Sequence, residues 1–433
     1  MAEKVLILGL SKSGIAAAKF AASKGYDVYV TEKKNEVNLE QVKELQNLGV
    51  KIEHGSHSEE FISGASFAVT SPGIPPKSEI FRRLNEKNIK IISEVEFAYL
   101  NTKTPFIAIT GTNGKTTTTA LVSHILSKKF SAPVCGNIGV PPTSLIEENH
   151  DFLVCEISSY QAQMTEKFKA KIACWTNFTP DHIDWHGGLE NYFNAKAKIF
   201  LPPQEPEFAI LNAQDTKLKE FSKQCKNVIF FDDGNDCGIK NNSIFYKGEE
   251  IISLKDCPLV GHHNYQNIMC GIIIAKLVGM NNSDIREQIM SFRAPEHRLE
   301  KVREMDGITF FNDSKATNPE ASIVAIDSFN NQNVALILGG RDKNTDLTEM
   351  CHSINKHIKT VLLIGEATER FEENLKKNGF SNIIKEHTME EAIDKAISLK
   401  PDVVLLSPAC ASFDMFKSYE HRGEVFKDYV LSK

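Results

Sequence analysis

The chain has 433 residues, 41% hydrophobic and 24% charged, with a formal net charge of -6. That length exceeds one comfortable core and predicts two or three domains, and the mildly acidic balance gives no electrostatic case for nucleic-acid binding. Nine cysteines, an odd number with no C-x-x-C pair, argue for reduced thiols in a cytoplasmic protein and against a disulfide framework or a four-cysteine zinc site.

The apolar run that opens the chain is too short for a secretion signal and breaks at Gly9. No stretch reaches the length of a membrane span. Residues 5–8 predict a strand, 13–24 a helix closed by Gly25, and 28–31 a second strand, with further short strands at 67–70 and 89–92. This is a small doubly wound unit. Its first turn, Gly9-Leu-Ser-Lys-Ser-Gly14, resembles a dinucleotide fingerprint, but Ser11 stands where a second glycine would let a pyrophosphate approach the backbone. Glu32 ends the second strand, where an acid can hold a ribose. Lys33 and Lys34 suit a phosphorylated nucleotide group, and a solvated lysine pair is the alternative. Ser71-Pro-Gly73-Ile-Pro-Pro76 predicts a rigid turn at the same edge.

The central segment opens with a buried-strand pattern, Phe106–Thr110. It stops at Gly111-Thr112-Asn113-Gly114, and Lys115-Thr116-Thr117 begins a helix. N–H groups of such a turn and the helix N-terminus attract phosphate, the lysine neutralises it, and the first hydroxyl suits Mg2+. The strict pattern asks for glycine at position 109, where Ile109 stands, so the loop is a compact variant; an ordinary strand-turn-helix is the alternative. Two more buried-strand patterns end in polar groups: 152–157, ending in Glu156 with Ser158-Ser-Tyr-Gln161, and 172–177, followed by Asp181-His-Ile-Asp184. Ligands gather at the carboxyl ends of strands in open α/β sheets, so Lys115, Thr116, Glu156 and His182 are expected together. A salt-bridged or capping acid and a plain loop histidine are the bland alternatives.

From about residue 300, strands near 309–312, 334–339, 361–364 and 403–406 alternate with helices at 347–357 and 389–399. This is a second doubly wound segment whose polar strand ends suit an anionic substrate. No fixed-period repeat or low-complexity tract occurs.

Taken together, Thr110–Thr117, Asn137 in Gly136-Asn-Ile-Gly139, Glu156, Asp181–Asp184, Glu296-His-Arg298 and Asn312–Asn318 resemble the motifs of the Mur ligase family over nearly the whole chain. Gly9–Gly14, Ser71–Ile74, Leu406–Phe416 and Arg422-Gly423 are most similar to the members that add D-glutamate to UDP-N-acetylmuramoyl-L-alanine. The resemblance implies an α/β fold of three domains. These are a Rossmann-like UDP-sugar domain (1–97), a central P-loop-type ATPase domain (98–298) and a Rossmann-like amino-acid domain (299–433). It implies ATP and two Mg2+ ions as cofactors, and small-molecule substrates with no membrane or nucleic-acid partner. A monomer is expected.

By the same likeness Lys196 is carbamylated, with Lys198 a rival only if the register is shifted. Thr116, Glu156, His182 and Lys196 hold metal. Gly111 to Thr117, Asn267, Arg298 and Asp313 bind ATP. Ser11, Lys12, Ser13, Glu32, Lys33, Lys34, Ser71, Gly73, Asn137 and His182 meet the UDP-sugar. Lys315, Thr317, Lys343, Ser412, Phe413 and Tyr419 meet D-glutamate, although Lys315 could equally sit on an acyl phosphate. Lys115, His182, Lys196 and Lys315 are the implied catalytic residues. Departures are Tyr419, where phenylalanine is usual, and Glu32-Lys33-Lys34 in place of a threonine-arginine pair. Rival readings are a nicotinamide-dependent oxidoreductase, a non-catalytic nucleotide switch, and a sister ligase or folylpolyglutamate-synthase-like enzyme with another acceptor or amino acid.

Overall fold

The computed structural model describes residues 2–259, 261–293, 296–329, 332–342 and 345–433. The chain forms two compact units, Met1–Cys257 with Gln266–Phe292, and Pro258–Tyr265 with Arg293–Lys433.

The first unit holds two sheets. One comprises β1 (Lys4–Leu8), β2 (Asp27–Glu32), β3 (Lys51–His54), β4 (Phe67–Thr70) and β5 (Lys90–Ser93), in the order β3-β2-β1-β4-β5 and all parallel. β1 is buried from Val5 to Leu8 because helices cover both faces. Strand order reverses between β1 and β4, which opens a crevice at Gly9 and Ser71. The strand at Lys51–His54 is additional to the sequence expectation. Its four residues are polar or half-exposed, as an edge strand tolerates, and so lack a buried-strand signature.

The other sheet comprises β6 (Phe106–Thr110), β7 (Val134–Gly136), β8 (Leu153–Glu156), β9 (Ile172–Trp175), β10 (Phe208–Asn212), β11 (Val228–Phe231), β12 (Cys237–Lys240), β13 (Ser243–Tyr246) and β14 (Glu249–Ser253). Its order is β14-β13-β12-β11-β10-β9-β6-β8-β7, parallel from β7 to β12 and closed by an antiparallel meander. All residues of β6, β8 and β9 are buried. Ile109 lies opposite both Glu156 and Cys174, so the carboxyl ends of these three strands meet.

One hydrophobic cluster runs through both sheets. The helix Glu94–Leu100 carries it across. Phe97 packs on Phe20 and Phe67 at 5.6 and 5.7 Å between ring centres, and Tyr99 on Phe106 and Phe168 at 6.2 and 5.4 Å. Among the described residues no helix is long and apolar enough to cross a membrane.

The second unit holds β15 (Glu300–Met305), β16 (Ile308–Asn312), β17 (Val334–Gly339), β18 (Thr360–Ile364), β19 (Ile383–Lys385) and β20 (Val403–Leu406). Their order is β15-β16-β20-β17-β18-β19, with only the β15–β16 pair antiparallel. The helices Thr348–His357 and Met389–Ser398 fall where the apolar periodicity put them.

Candidate active site

The site of the first unit is built on the turn between β6 and the helix Lys115–Leu126. Gly111 has φ +150°, and a Cβ there would stand 1.9 Å from Thr176 Oγ1. Gly114 has φ +80°, and its Cβ would stand 2.7 Å from Asn267 Oδ1. Both positions therefore require glycine, one for close approach and one for left-handed backbone. The polar end of β9 pins the loop. Thr112 N donates to Asn177 O at 3.0 Å, and Asn113 N to Asn177 Oδ1 at 2.9 Å. Thr176 Oγ1 donates to Asn113 O at 2.6 Å. Thr179 N donates to Thr112 Oγ1 at 3.0 Å, and that oxygen lies 3.2 Å from Tyr192 OH. The conformation of the loop is thus fixed by its neighbours.

Two lysines converge on one carbonyl. Lys115 Nζ donates to Gly111 O at 3.0 Å and to Thr112 O at 2.7 Å, and Lys196 Nζ donates to the same Gly111 O at 2.7 Å. Lys196 is 1% exposed. Burial first, and the Lys115 charge second, hold its pKa well below the ordinary lysine value, against the pull of Asp181 and Glu156. Lys198 is exposed and donates to Gln163 O at 3.0 Å. Thr116 is buried at the first turn of the helix, and Asn267 accepts a hydrogen bond from Thr118 Oγ1 at 3.0 Å.

Glu156 ends β8, buried at 1% exposure. Asn137 Nδ2 donates to its Oε1 at 2.8 Å, while Oε2, equally buried, accepts no hydrogen bond from the described residues. A buried carboxylate oxygen without a donor suits a cation. Among the described residues no three His, Cys, Asp or Glu side chains are grouped to hold a metal. Of Thr116, Glu156, His182 and Lys196, only Glu156 and His182 are side chains of those types.

His182 has φ +52° at the start of the helix Ile183–His186, and its ring stands 4.9 Å from Tyr160 and 3.3 Å from Asp181 Oδ2. Sequence reasoning missed the support beneath it. His186 is buried, lies 2.9 Å by Nε2 from Ser159 Oγ, and stacks on Tyr160 at 5.6 Å. Burial, and then the charges of His182 and Lys196, lower its pKa to about 4, so it is a neutral imidazole. A histidine four residues after another on a short helix was the available signal. Thr176 and Asn177 were signalled only by being polar directly after a buried strand.

At the β1–β4 crevice, Ser11 Oγ donates to Ser71 Oγ at 2.9 Å and Ser13 Oγ to the same atom at 3.3 Å, at the N-terminus of the helix Lys12–Ser23. Lys12, Lys33, Lys34 and Gly73 are exposed around it. The Glu32 carboxylate accepts from Leu10 N at 3.0 Å and Lys34 N at 2.9 Å, so it closes the loops at this edge.

In the second unit, Asp313 follows β16 and is buried. Ser407 Oγ donates to its Oδ2 at 2.8 Å and Leu299 N to Oδ1 at 3.2 Å; burial pushes its carboxyl up to about 7, with Ser407 and the Arg298 charge opposing. Lys315 Nζ lies 5.4 Å from the Tyr419 ring centre. Thr317 is half-buried just before the helix Pro319–Ile326, Ser412 is buried and Phe413 exposed. Lys343 lies outside the described residues. The loops carrying these groups are joined by Arg422, which is 1% exposed. Its Nε donates to Ser314 Oγ at 3.0 Å, and its Nη2 to Ser314 O at 2.8 Å and Cys410 O at 3.0 Å. The sequence singled out Arg422 only as part of a likeness.

Family profiles match residues 3–93 (Mur ligase MurD-like, N-terminal domain), 109–275 (Mur ligase middle domain) and 297–410 (Mur ligase, glutamate ligase domain). The chain is 37% identical over 446 residues to a UDP-N-acetylmuramoylalanine–D-glutamate ligase of Caldanaerobacter subterraneus subsp. tengcongensis, covering 99% of this chain and 98% of that one. A protein of the same name in Koribacter versatilis is 39% identical, at 99% and 97% coverage. Among solved structures, the UDP-N-acetylmuramate-alanine ligase of Thermotoga maritima superposes with a TM-score of 0.62 at 20% identity, covering 99% of this chain and all of that one. MurF of Acinetobacter baumannii gives 0.63 at 18% identity, covering 99% and 93%. At such identities these two speak for the fold alone.

Proposed function

The chain belongs to the Mur ligase family, and from that premise we propose that it uses ATP to join D-glutamate to UDP-N-acetylmuramoyl-L-alanine in peptidoglycan precursor synthesis. One observation carries the chemistry: a glycine turn at a strand-to-helix junction, with two lysines sharing the Gly111 carbonyl. Such a turn binds the phosphates of a nucleotide.

Amide formation from a carboxylate is uphill in water and needs an activated leaving group. The terminal phosphoryl of ATP passes to the alanyl carboxylate, giving an acyl phosphate and ADP. The D-glutamate amine then attacks the carbonyl carbon, and phosphate leaves from the tetrahedral intermediate. The protein supplies position and charge neutralisation. Lys115 leaves the loop carbonyls to meet the β- and γ-phosphates. Asn137 and His182 orient the acceptor carboxylate. Thr116, Glu156, His182 and Lys196 would hold two Mg2+ ions, which neutralise phosphate charge when bound.

The depressed pKa of Lys196 favours the free amine. That amine would add to CO2, forming an N–C bond and releasing a proton, and the carbamate would supply an oxygen to Mg2+. Ser11, Ser13 and Ser71, with Lys12, Lys33, Lys34 and the backbone at Gly73, receive the UDP-sugar at a helix N-terminus. Glu32 shapes that edge. Asn267, Arg298 and Asp313 serve the adenosine and its phosphates. Lys315, Thr317, Lys343, Ser412, Phe413 and Tyr419 serve D-glutamate, a dicarboxylate that needs cationic and N–H donors; Lys315 is also the cation placed to serve the acyl phosphate in turn. We assign the UDP-sugar domain to residues 1–97, the ATP domain to 98–298 and the amino-acid domain to 299–433.

The test is phosphate release from ATP by the purified protein with UDP-N-acetylmuramoyl-L-alanine. Release should require D-glutamate and ignore L-glutamate, and hydroxylamine should trap the acyl phosphate when the amino acid is withheld. Turnover with a different amino acid in a panel would reassign the chain to a sister ligase. No ATP binding and no trapped product would end the proposal.

A further inference from the structure

The helix Glu94–Leu100 carries two buried carboxylates, and they do different things. Glu96 accepts from three consecutive backbone N–H groups, Glu166 at 3.0 Å, Lys167 at 2.7 Å and Phe168 at 2.9 Å. That is a staple between the two sheets. Glu94, 3% exposed, instead reaches the turn Pro142–Ser144, where its Oε1 accepts from Thr143 N at 2.7 Å and Thr143 Oγ1 at 2.5 Å. Pro141 and Pro142 have no N–H, so Thr143 offers the first free donor of that turn, and the turn takes its cap from a residue 49 positions away. A buried glutamate is costly unless its bonds repay the lost hydration. Burial drives the Glu94 carboxyl up to about 7, and the two Thr143 bonds are what oppose it.

The capped turn is continuous with the Asn137 loop. Gly136 N donates to Val140 O at 3.0 Å, and two prolines run directly from Val140 to Thr143. Asn137 N donates to Glu156 O at 2.9 Å, and its side chain to Glu156 Oε1 at 2.8 Å. Proline has a fixed φ, so the link from Thr143 back to the loop is short and stiff.

We propose that Glu94 is a positioning residue for the acceptor: by anchoring Thr143 it sets the place of the Asn137 loop, and with it the seat of the substrate carboxylate. This rests on the ligase reading above. It assigns to Glu94 a part in acceptor alignment and to Glu96 a part in stability alone.

The experiment compares Glu94→Ala, Glu94→Gln, Thr143→Val and Glu96→Ala in steady-state kinetics, varying ATP, D-glutamate and UDP-N-acetylmuramoyl-L-alanine separately, beside thermal melts. Wild-type turnover is measured first; its absence defeats the ligase reading and leaves these variants to be compared by acceptor binding in calorimetry. Glu94→Ala should lower kcat/KM for the acceptor by about tenfold or more with KM for ATP within about twofold. Thr143→Val, which keeps the N–H bond, should show a smaller loss of the same kind. Glu94→Gln keeps an acceptor oxygen and should restore most of the activity. Glu96→Ala should lower the melting temperature without the selective acceptor effect. Equal losses for all three substrates in Glu94→Ala, or the same kinetic pattern in Glu96→Ala, overturn the proposal. Should Glu94→Ala not fold, Thr143→Val decides, and an unchanged acceptor kcat/KM overturns it.

Discussion

Gly14→Ala should cripple the β1–β4 crevice although it adds one methyl group. Gly14 lies in the helix Lys12–Ser23, and a Cβ there would stand 2.0 Å from Gly9 O, 3.0 Å from Gly9 C and 3.3 Å from Ser71 Oγ. Real Cβ atoms do not approach closer than 3.0 Å, so helix and turn must separate by 3.0 − 2.0 = 1.0 Å at least. The obstacle is backbone and cannot rotate away. Ala17, Phe20 and Ala21 of the same helix are core residues, so withdrawal also loosens their packing. Overpacking of this kind costs up to about 3 kcal/mol. At about 2 °C per kcal/mol for a unit of this size, the melting temperature should fall by roughly 6 °C. The moved helix end no longer aligns with Ser71, so affinity for the UDP-sugar should drop while ATP affinity holds. Gly25→Ala is the control: φ is +79° but nothing lies within 4 Å, so only backbone strain of about 1 kcal/mol is expected. Thermal melts with calorimetric titration of each nucleotide read both effects. If Gly14→Ala melts with the wild type and binds the UDP-sugar normally, or if Gly25→Ala is the more damaging of the two, the packing account is wrong.

Lys196→Met should leave the fold as stable or more stable, because a buried amine is exchanged for an apolar chain of similar length and Lys115 still donates to the Gly111 carbonyl, while turnover falls by about 100-fold or more; a destabilised but active variant would contradict the role given to Lys196. His186 is neutral in the fold with its pKa lowered to about 4, against an ordinary value of 6.5. Between those values the unfolded chain binds more protons, so stability should fall as pH drops from 6.5 toward 4, and His186→Asn should flatten that slope in urea midpoints taken at several pH values. Arg422→Met removes the donors that bind Ser314 and the Cys410 carbonyl and should destabilise the second unit by about 3 kcal/mol, read as a lower denaturation midpoint; an unchanged midpoint would show that these acceptors find other donors.

Much of the chain's organisation was legible in its residues because the signals are local. Buried parallel strands are short apolar runs, phosphate loops need glycine and lysine within a few positions, and both survive without knowledge of contacts. The Phe106–Thr117 segment signalled a phosphate loop in this way, and it folds as a buried strand, a glycine turn and a helix. The meander at 237–253 was not legible, since its strands are short and partly polar and gain their partners only by joining a sheet edge.

Lys196 and Lys198 stand two residues apart on one helical run, and only packing against the Gly111 loop buries the first and exposes the second. The Thr176–Asn177 clamp, the Glu94 cap and the Arg422 tie to Ser314 each act across 49 positions of chain or more. Chemistry confined to one turn is written in neighbouring letters; a buried charge acquires its meaning from whichever distant carbonyl or N–H the fold carries to it, and that choice belongs to tertiary packing.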